Sequence, residues 1–448
     1  MKKPISFLVD LALRVTRPMA WSVLPAMLAV MVAAGSGCDG DSYSKAIKYA
    51  VRTDPLVLIK ADLGDERIEP DRPGVLPLLS AKDVQEPFNP MFAKGDSLFK
   101  KENLRDPALI PRADRNLIEE VLQEFFGTPA SPRVLVSPDI VKTLRLEDVH
   151  LEHGSSLYRL HCLHCHGVTG DGRGPTGRWV NPHPRDYRQG VFKFMSVDQT
   201  AGPQPPRRDD LQRVLQQGVE GTAMPSFGVQ LAPADLEDLV SYVIHLSLRG
   251  KVEFDVIKEG FDYDREKNTL TAKDPSDIGA LDVLMSNKLA NNAKAWSDSQ
   301  SKDKAINVFA YPYDDRAAKD NNLTQLEYSI LRGFYLFKGE ESAKLGLSKE
   351  DAKAANCISC HTSYGRQSPY KFDDWGTLTK ARDLTQGIFR GGHRPVDIYF
   401  RIHSGISGSG MNSFGTVIAK KENIWDLVNF VQTLPYTAMR NKLGMQLD

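Results

Sequence analysis

Two short segments carry most of the chemistry this chain can do. Cys162-Leu163-His164-Cys165-His166 and Cys357-Ile358-Ser359-Cys360-His361 each set a Cys-x-x-Cys pair directly before a histidine. On one turn of helix the two thiols can add to the vinyl groups of a haem, and the histidine can give its imidazole to the iron. Half of a zinc site and a redox dithiol are the other uses of such a pair. Zinc needs the two pairs to converge, and a thioredoxin-like dithiol has no use for His166 or His361. The motifs therefore read as attachment points for two covalently bound haem c groups.

A second axial ligand is a separate inference. Methionine sulfur is soft and neutral and raises the reduction potential relative to a second histidine. Met224 and Met411 each follow a glycine-rich stretch and precede an apolar-periodic segment, so the chain can fold back over the far side of a haem. Pro225 stiffens the first of these loops, where the second has Asn412. The plainer reading is that both methionines fill the core around the cofactor. Their matched positions favour ligation, giving His166 with Met224 and His361 with Met411. Met195, His393 and His403 are rivals that do not recur in both copies. Arg185 and Arg382 lie between the ligands, each followed by Asp. Either the guanidinium binds a haem propionate or the Arg-Asp pair holds a loop. His150, His153, His161, His164 and His183 belong at the surface or the cofactor rim.

These residues are set in an internal repeat. The first copy runs Gly154-x-x-x-Tyr158, Cys162 to His166, Arg185-Asp186-x-x-Gln189-Gly190, Met224-Pro225-Ser226-Phe227, then Leu236 to Val243. The second runs Gly333-x-x-x-Phe337, Cys357 to His361, Arg382-Asp383-x-x-Gln386-Gly387, Met411-Asn412-Ser413-Phe414, then Ile424 to Val431. Both closing segments place apolar residues at i, i+3, i+4 and i+7, the pattern of an amphipathic helix. Gly154 and Gly333 predict a close crossing with that helix, through Tyr242 and Phe430. A longer spacing between Gly333 and Cys357 marks an insertion at about 339–355.

Each copy resembles a class I cytochrome c domain, with Cys-x-x-Cys-His near its start, a methionine loop and a terminal helix. The resemblance covers about half the chain and implies a mainly α fold: two tandem helical domains, each wrapped round one haem, beside an irregular N-terminal region. The expected division is 1–37 signal peptide or membrane anchor, 38–145 N-terminal region, 146–250 first domain, 251–322 polar linker, 323–437 second domain and 438–448 tail. A helix is expected in the N-terminal region, near Asn116 to Phe126, ending at the breaker Gly127-Thr128-Pro129.

Lys2, Lys3, Arg14 and Arg17 precede an apolar run closed by Ala33-Ala34-Gly35-Ser36-Gly37 and Cys38. Charge before such a run sends the following chain outward. The expectation is an exported protein on the periplasmic face of a bacterial membrane, held by a lipid on Cys38 or by an uncleaved anchor. Lys and Arg number 57 against 57 Asp and Glu, a balance that argues against a nucleic-acid partner. The expected partners are redox proteins: a quinol-oxidising complex or dehydrogenase as donor, a terminal oxidase or reductase as acceptor. With methionine on both irons the chain is an electron carrier and not itself an enzyme. A di-haem peroxidase-like enzyme and a fixed cytochrome subunit of a larger membrane redox complex are the alternatives.

Overall fold

The computed structural model describes residues 43–57, 104–180, 182–273, 280–311, 323–375 and 378–447. All of them belong to one compact unit, Tyr43–Asp448. Cys38 and the apolar run before it lie outside the described residues. No helix among those described is long and apolar enough to cross a membrane.

The chain opens its helical part with α1 (Arg112–Phe126) and α2 (Pro138–Leu144). Ile118, Val121, Leu122 and Phe126 form the buried stripe of α1. The helix stops at Gly127, whose φ of 69° is one that glycine adopts without steric cost.

The first copy of the repeat is built on α3 (Asp148–His161), short α4 (Leu163–His166), α5 (Arg208–Gln217) and long α6 (Pro233–Gly260). Helices α3 and α6 cross at Gly154. A Cβ there would lie 2.8 Å from the carbonyl carbon of Asp238 and 3.0 Å from Cβ of Tyr242. Only glycine allows that approach. Beside the crossing, Tyr158 and Tyr242 pack edge to face at 5.2 Å.

After α7 (Leu281–Ser299), the second copy repeats this plan with α8 (Gln325–Lys338), α10 (Pro395–Ser404) and α11 (Glu422–Thr433), and inserts α9 (Lys349–Ala355) before its haem motif. At Gly333 a Cβ would be 2.6 Å from the carbonyl carbon of Asp426 and 2.7 Å from Cβ of Phe430. Phe337 and Phe430 repeat the aromatic pair at 5.3 Å. The expected insertion is a capped turn: Gly339 ends α8 in the left-handed region, and Ser348 caps α9 through Asp351.

The segment 251–322, expected to be a linker with some structure, holds regular elements packed on the first domain as far as Ser299. Helix α6 runs past 250 because Val252, Val256 and Ile257 continue its buried stripe and the Arg249–Glu253 pair, 3.2 Å apart, is enclosed within it. A hairpin (Phe261–Asp264 with Thr269–Ala272) follows, and then α7 buries Leu281, Met285, Leu289, Ala293 and Trp296 in the first domain's core. That single apolar stripe is masked by the Lys, Asp, Asn and Ser on the other faces. The N-terminal region, to which the sequence assigns no role, packs on the first domain. Residues 43–57 lie along α6, with the Tyr49 and Tyr242 hydroxyls 2.9 Å apart and the Arg52 amide donating to Glu253 at 2.6 Å.

Candidate haem sites

Helix α3 passes through Cys162 into α4, so the first motif is one continuous turn. The amides of Cys165 and His166 donate to the Cys162 carbonyl at 3.1 and 2.9 Å. This sets Cys162, Cys165 and His166 on one edge of a cavity of about 990 Å³, with Met224 also in its lining. Leu215, Phe227, Leu239 and Val243 give the cavity an apolar wall. An apolar wall facing placed polar groups is what a cofactor site requires.

The His166 ring is fixed from behind. Its Nδ1 is 3.1 Å from the carbonyl oxygen of Arg185, to which it can only donate, and the ring stacks on Tyr187 at 4.9 Å. That leaves the Nε2 lone pair free for a metal. Burial pushes the imidazole down to about 4 despite the backbone bond, so it is neutral near pH 7. Burial also holds the Cys162 and Cys357 thiols up at about 12. Such thiols are not the depressed, nucleophilic kind of a redox dithiol. Among the described residues no cluster of three or more His, Cys, Asp or Glu is arranged to hold a metal ion.

The second site repeats the setting in a tighter turn. The amides of Cys360 and His361 donate to the Cys357 carbonyl at 3.2 and 2.9 Å. His361 Nδ1 donates to the Arg382 carbonyl at 3.2 Å, the equivalent of the Arg185 contact. Gly365, at φ 97°, lets that carbonyl approach, since a Cβ there would collide with it. Burial lowers the His361 pKa as well.

The methionine loops agree bond for bond. Thr222 Oγ1 accepts from the Met224 amide at 3.1 Å and donates to the Val219 carbonyl at 2.7 Å. Ser409 Oγ does the same for Met411 and Ile406, at 3.2 and 2.7 Å. The Val219 and Ile406 amides close the loops onto the carbonyls of Met224 and Met411 at 3.1 and 3.0 Å. Asn412 in place of proline therefore leaves the loop backbone unchanged. Met224 and Met411 are half-buried against their domain cores.

The rivals sit elsewhere. Met195 is buried in the first core, His393 is exposed and paired with Glu220 at 3.0 Å, and His403 is buried beside the Ser404 hydroxyl. None of the three lines the cavity, and neither do His361 and Met411, so it separates the rivals from the favoured ligand only for Met195. His161, His164 and His183 do line it, whereas His150 and His153 pair with Asp238 at 2.8 Å.

Arg185 and Arg382 both line the cavity, and their following aspartates are engaged by other residues. Asp186 is held by Arg188 at 2.8 Å, and Asp383 by Thr385 and Gln386. Arg185 instead stacks on Trp375 of the second domain, 3.8 Å from the ring centre. Sequence reasoning missed Trp375, Tyr187, Arg52 and Asp54, all of which line the cavity. Only Tyr187, two residues past the repeated Arg-Asp, was close to a signal.

Residues 150–243 match the family described as cytochrome c oxidase, cbb3-type, subunit III, and residues 349–435 match the cytochrome c family. No curated protein matches the chain. Among solved structures, a chain of the reducing HAO-like protein complex of Kuenenia stuttgartiensis is 22% identical. That alignment covers 63% of this chain and 96% of the other, with a TM-score of 0.39. The chain thus carries two cytochrome c domains in tandem, each implying one covalently bound haem c, and such domains support electron transfer.

Proposed function

We propose that this is an exported, membrane-tethered carrier that passes single electrons between respiratory-chain partners. Its donor is a quinol-oxidising complex or a dehydrogenase, and its acceptor a terminal oxidase or reductase. In this reading Cys162 and Cys165 attach one haem, ligated by His166 and Met224. Cys357 and Cys360 attach the other, ligated by His361 and Met411. The tether is a lipid on Cys38 or an N-terminal anchor, and the body lies on the periplasmic face.

The observation that carries the reading is the duplicated setting of histidine and methionine. Each imidazole is oriented by a backbone carbonyl, and each methionine is held by the same hydroxyl-braced loop. Two filled axial positions leave no place for a substrate, which favours electron transfer over catalysis. Adding carbon monoxide to the reduced protein tests this. An unchanged spectrum is expected, and rapid ligand binding or peroxide turnover would reopen the peroxidase-like alternative. The tether is tested by Cys38→Ser, which should release the protein from the membrane fraction if the anchor is a lipid.

A second reading is a fixed subunit of a larger membrane redox complex. It draws on the first domain's match to a family named for an oxidase subunit. Solubilisation in mild detergent separates the two: a shuttle migrates alone, a subunit with its complex.

A further inference from the structure

A second cavity, of about 240 Å³, opens where the segment 43–57 meets the first turns of α1. Arg52, Arg112, Arg115, Asn116 and Glu119 line it. Arg112 and Arg115 stand three positions apart, and Glu119 four further on, the spacings that put side chains on one face of a helix. The space holds an oxyanion the size of phosphate with bound water.

Arg52 reaches the cavity from the opposite wall and is held in place. Its Nη2 donates to Asp54 at 2.5 Å, and the guanidinium lies 5.7 Å from the centre of the Phe254 ring. Arg52 is only 4% exposed, yet its Nε and Nη1 have no hydrogen-bond partner among the described residues. The buried Nε of Arg115 has none either. Arg52 also borders the haem cavity, whereas Arg112, Arg115, Asn116 and Glu119 do not.

The neighbouring carboxylates do not meet this demand. Asp54 is shared between Arg52 and Arg188. Glu253 accepts from the Arg52 amide and pairs with Arg249. Asp114, in the first turn of α1, is not in the lining. Among the described residues Glu119 is the one carboxylate of the lining, against three guanidinium groups. No side chain caps α1 at Pro111, so its first amides add to the positive field. Buried donors without acceptors are unfavourable, and the planar fork of a guanidinium matches the oxygens of a phosphate.

We propose that this cavity binds a phosphate-class oxyanion, free or carried on a lipid headgroup, at a place separate from both haem motifs. The lipid source alone rests on the tether proposed above. Ala50 follows Cys38 by twelve positions, at most about 43 Å of chain, which leaves a headgroup within reach.

The test is isothermal titration of the full haem-loaded chain with sodium phosphate, the ionic strength being held constant with chloride. One saturable site is expected in the parent, weakened roughly tenfold or more in Arg115→Gln, with part of the affinity restored in Arg115→Lys. Arg112→Gln should weaken it likewise, and Arg112 is exposed, so that variant does not threaten folding. Glu119→Gln should bind more tightly than the parent, a gain that a merely structural role would not give. Glycerol 3-phosphate, the headgroup of a phosphatidate lipid, is the second titrant. Tighter binding than phosphate assigns the site to a lipid headgroup, and weaker binding assigns it to the free anion. Both titrants are soluble, so the result does not depend on the tether. No saturable binding of either titrant, or equal affinity in the parent, R112Q and R115Q, would overturn the proposal.

Discussion

Gly333→Ala probes the helix crossing on which the second haem site is built. Apolar carbons pack at about 3.5–4.0 Å, whereas a Cβ at 333 would lie 2.6 Å from the Asp426 carbonyl carbon and 2.7 Å from Phe430 Cβ. The obstruction is largely backbone, so α8 and α11 must part by about 1 Å, a gap set by those packing distances. Overpacking costs roughly 1–3 kcal/mol, and a backbone obstruction belongs at the upper end. Replacing glycine by alanine inside a helix returns about 1 kcal/mol. The net loss is about 2 kcal/mol, which corresponds to a Tm lower by roughly 2–4 °C, because the shift per kcal/mol shrinks as a body grows beyond about 150–250 residues. Thermal unfolding of the haem-loaded protein, followed by helical circular dichroism, reads it directly. Gly260→Ala is the control, because nothing lies within 4 Å of its Cβ. If G333A unfolds together with G260A, the crossing is not as tight as described and the argument fails.

Asp54 is enclosed between Arg52 and Arg188. Burial alone would raise its pKa, but the two guanidinium groups override it and hold the carboxyl well below the usual range. Its contribution is therefore complete above about pH 4, the ordinary carboxylate value, and is lost as pH falls further toward the folded pKa. Asp54→Asn should cost about 3–5 kcal/mol by leaving the arginines uncompensated. The deficit in urea midpoints should be constant from pH 7 to 5 and shrink only in stronger acid. A deficit that vanished already near pH 6 would contradict this pair of roles. Thr222→Val removes a brace of the first methionine loop, worth roughly 1 kcal/mol per bond. It should weaken the methionine-to-iron band of one haem only, and Ser409→Ala should do the same at the other. Loss of both bands from either variant would show that the loops are not independent.

The repeat made the helix crossings and both haem motifs legible, because glycine, aromatic, cysteine and methionine recur in one order and each has a specific steric or chemical use. The methionine-loop braces were less visible: Thr222 and Ser409 are common residues whose role appears only with the turn they close. The helix over residues 281–299 was not legible because one buried stripe, Leu281 to Trp296, sits among polar faces. The contribution of residues 43–57 was hidden for another reason. Tyr49, Arg52 and Asp54 act through partners some two hundred positions away on α6, or beyond a hundred on Arg188, and no local pattern encodes such pairings. Trp375 stands in no motif of the sequence and acquires meaning only when the second domain lies against Arg185.

The central claim is that both haems are held by histidine and methionine. A low-temperature visible and near-infrared spectrum of the oxidised protein, taken with a count of haems per chain, tests it most directly. Two low-spin haems, each with a methionine-to-iron band, are the predicted result. A high-spin haem, or one centre ligated by two histidines, would contradict it, at Met411 first.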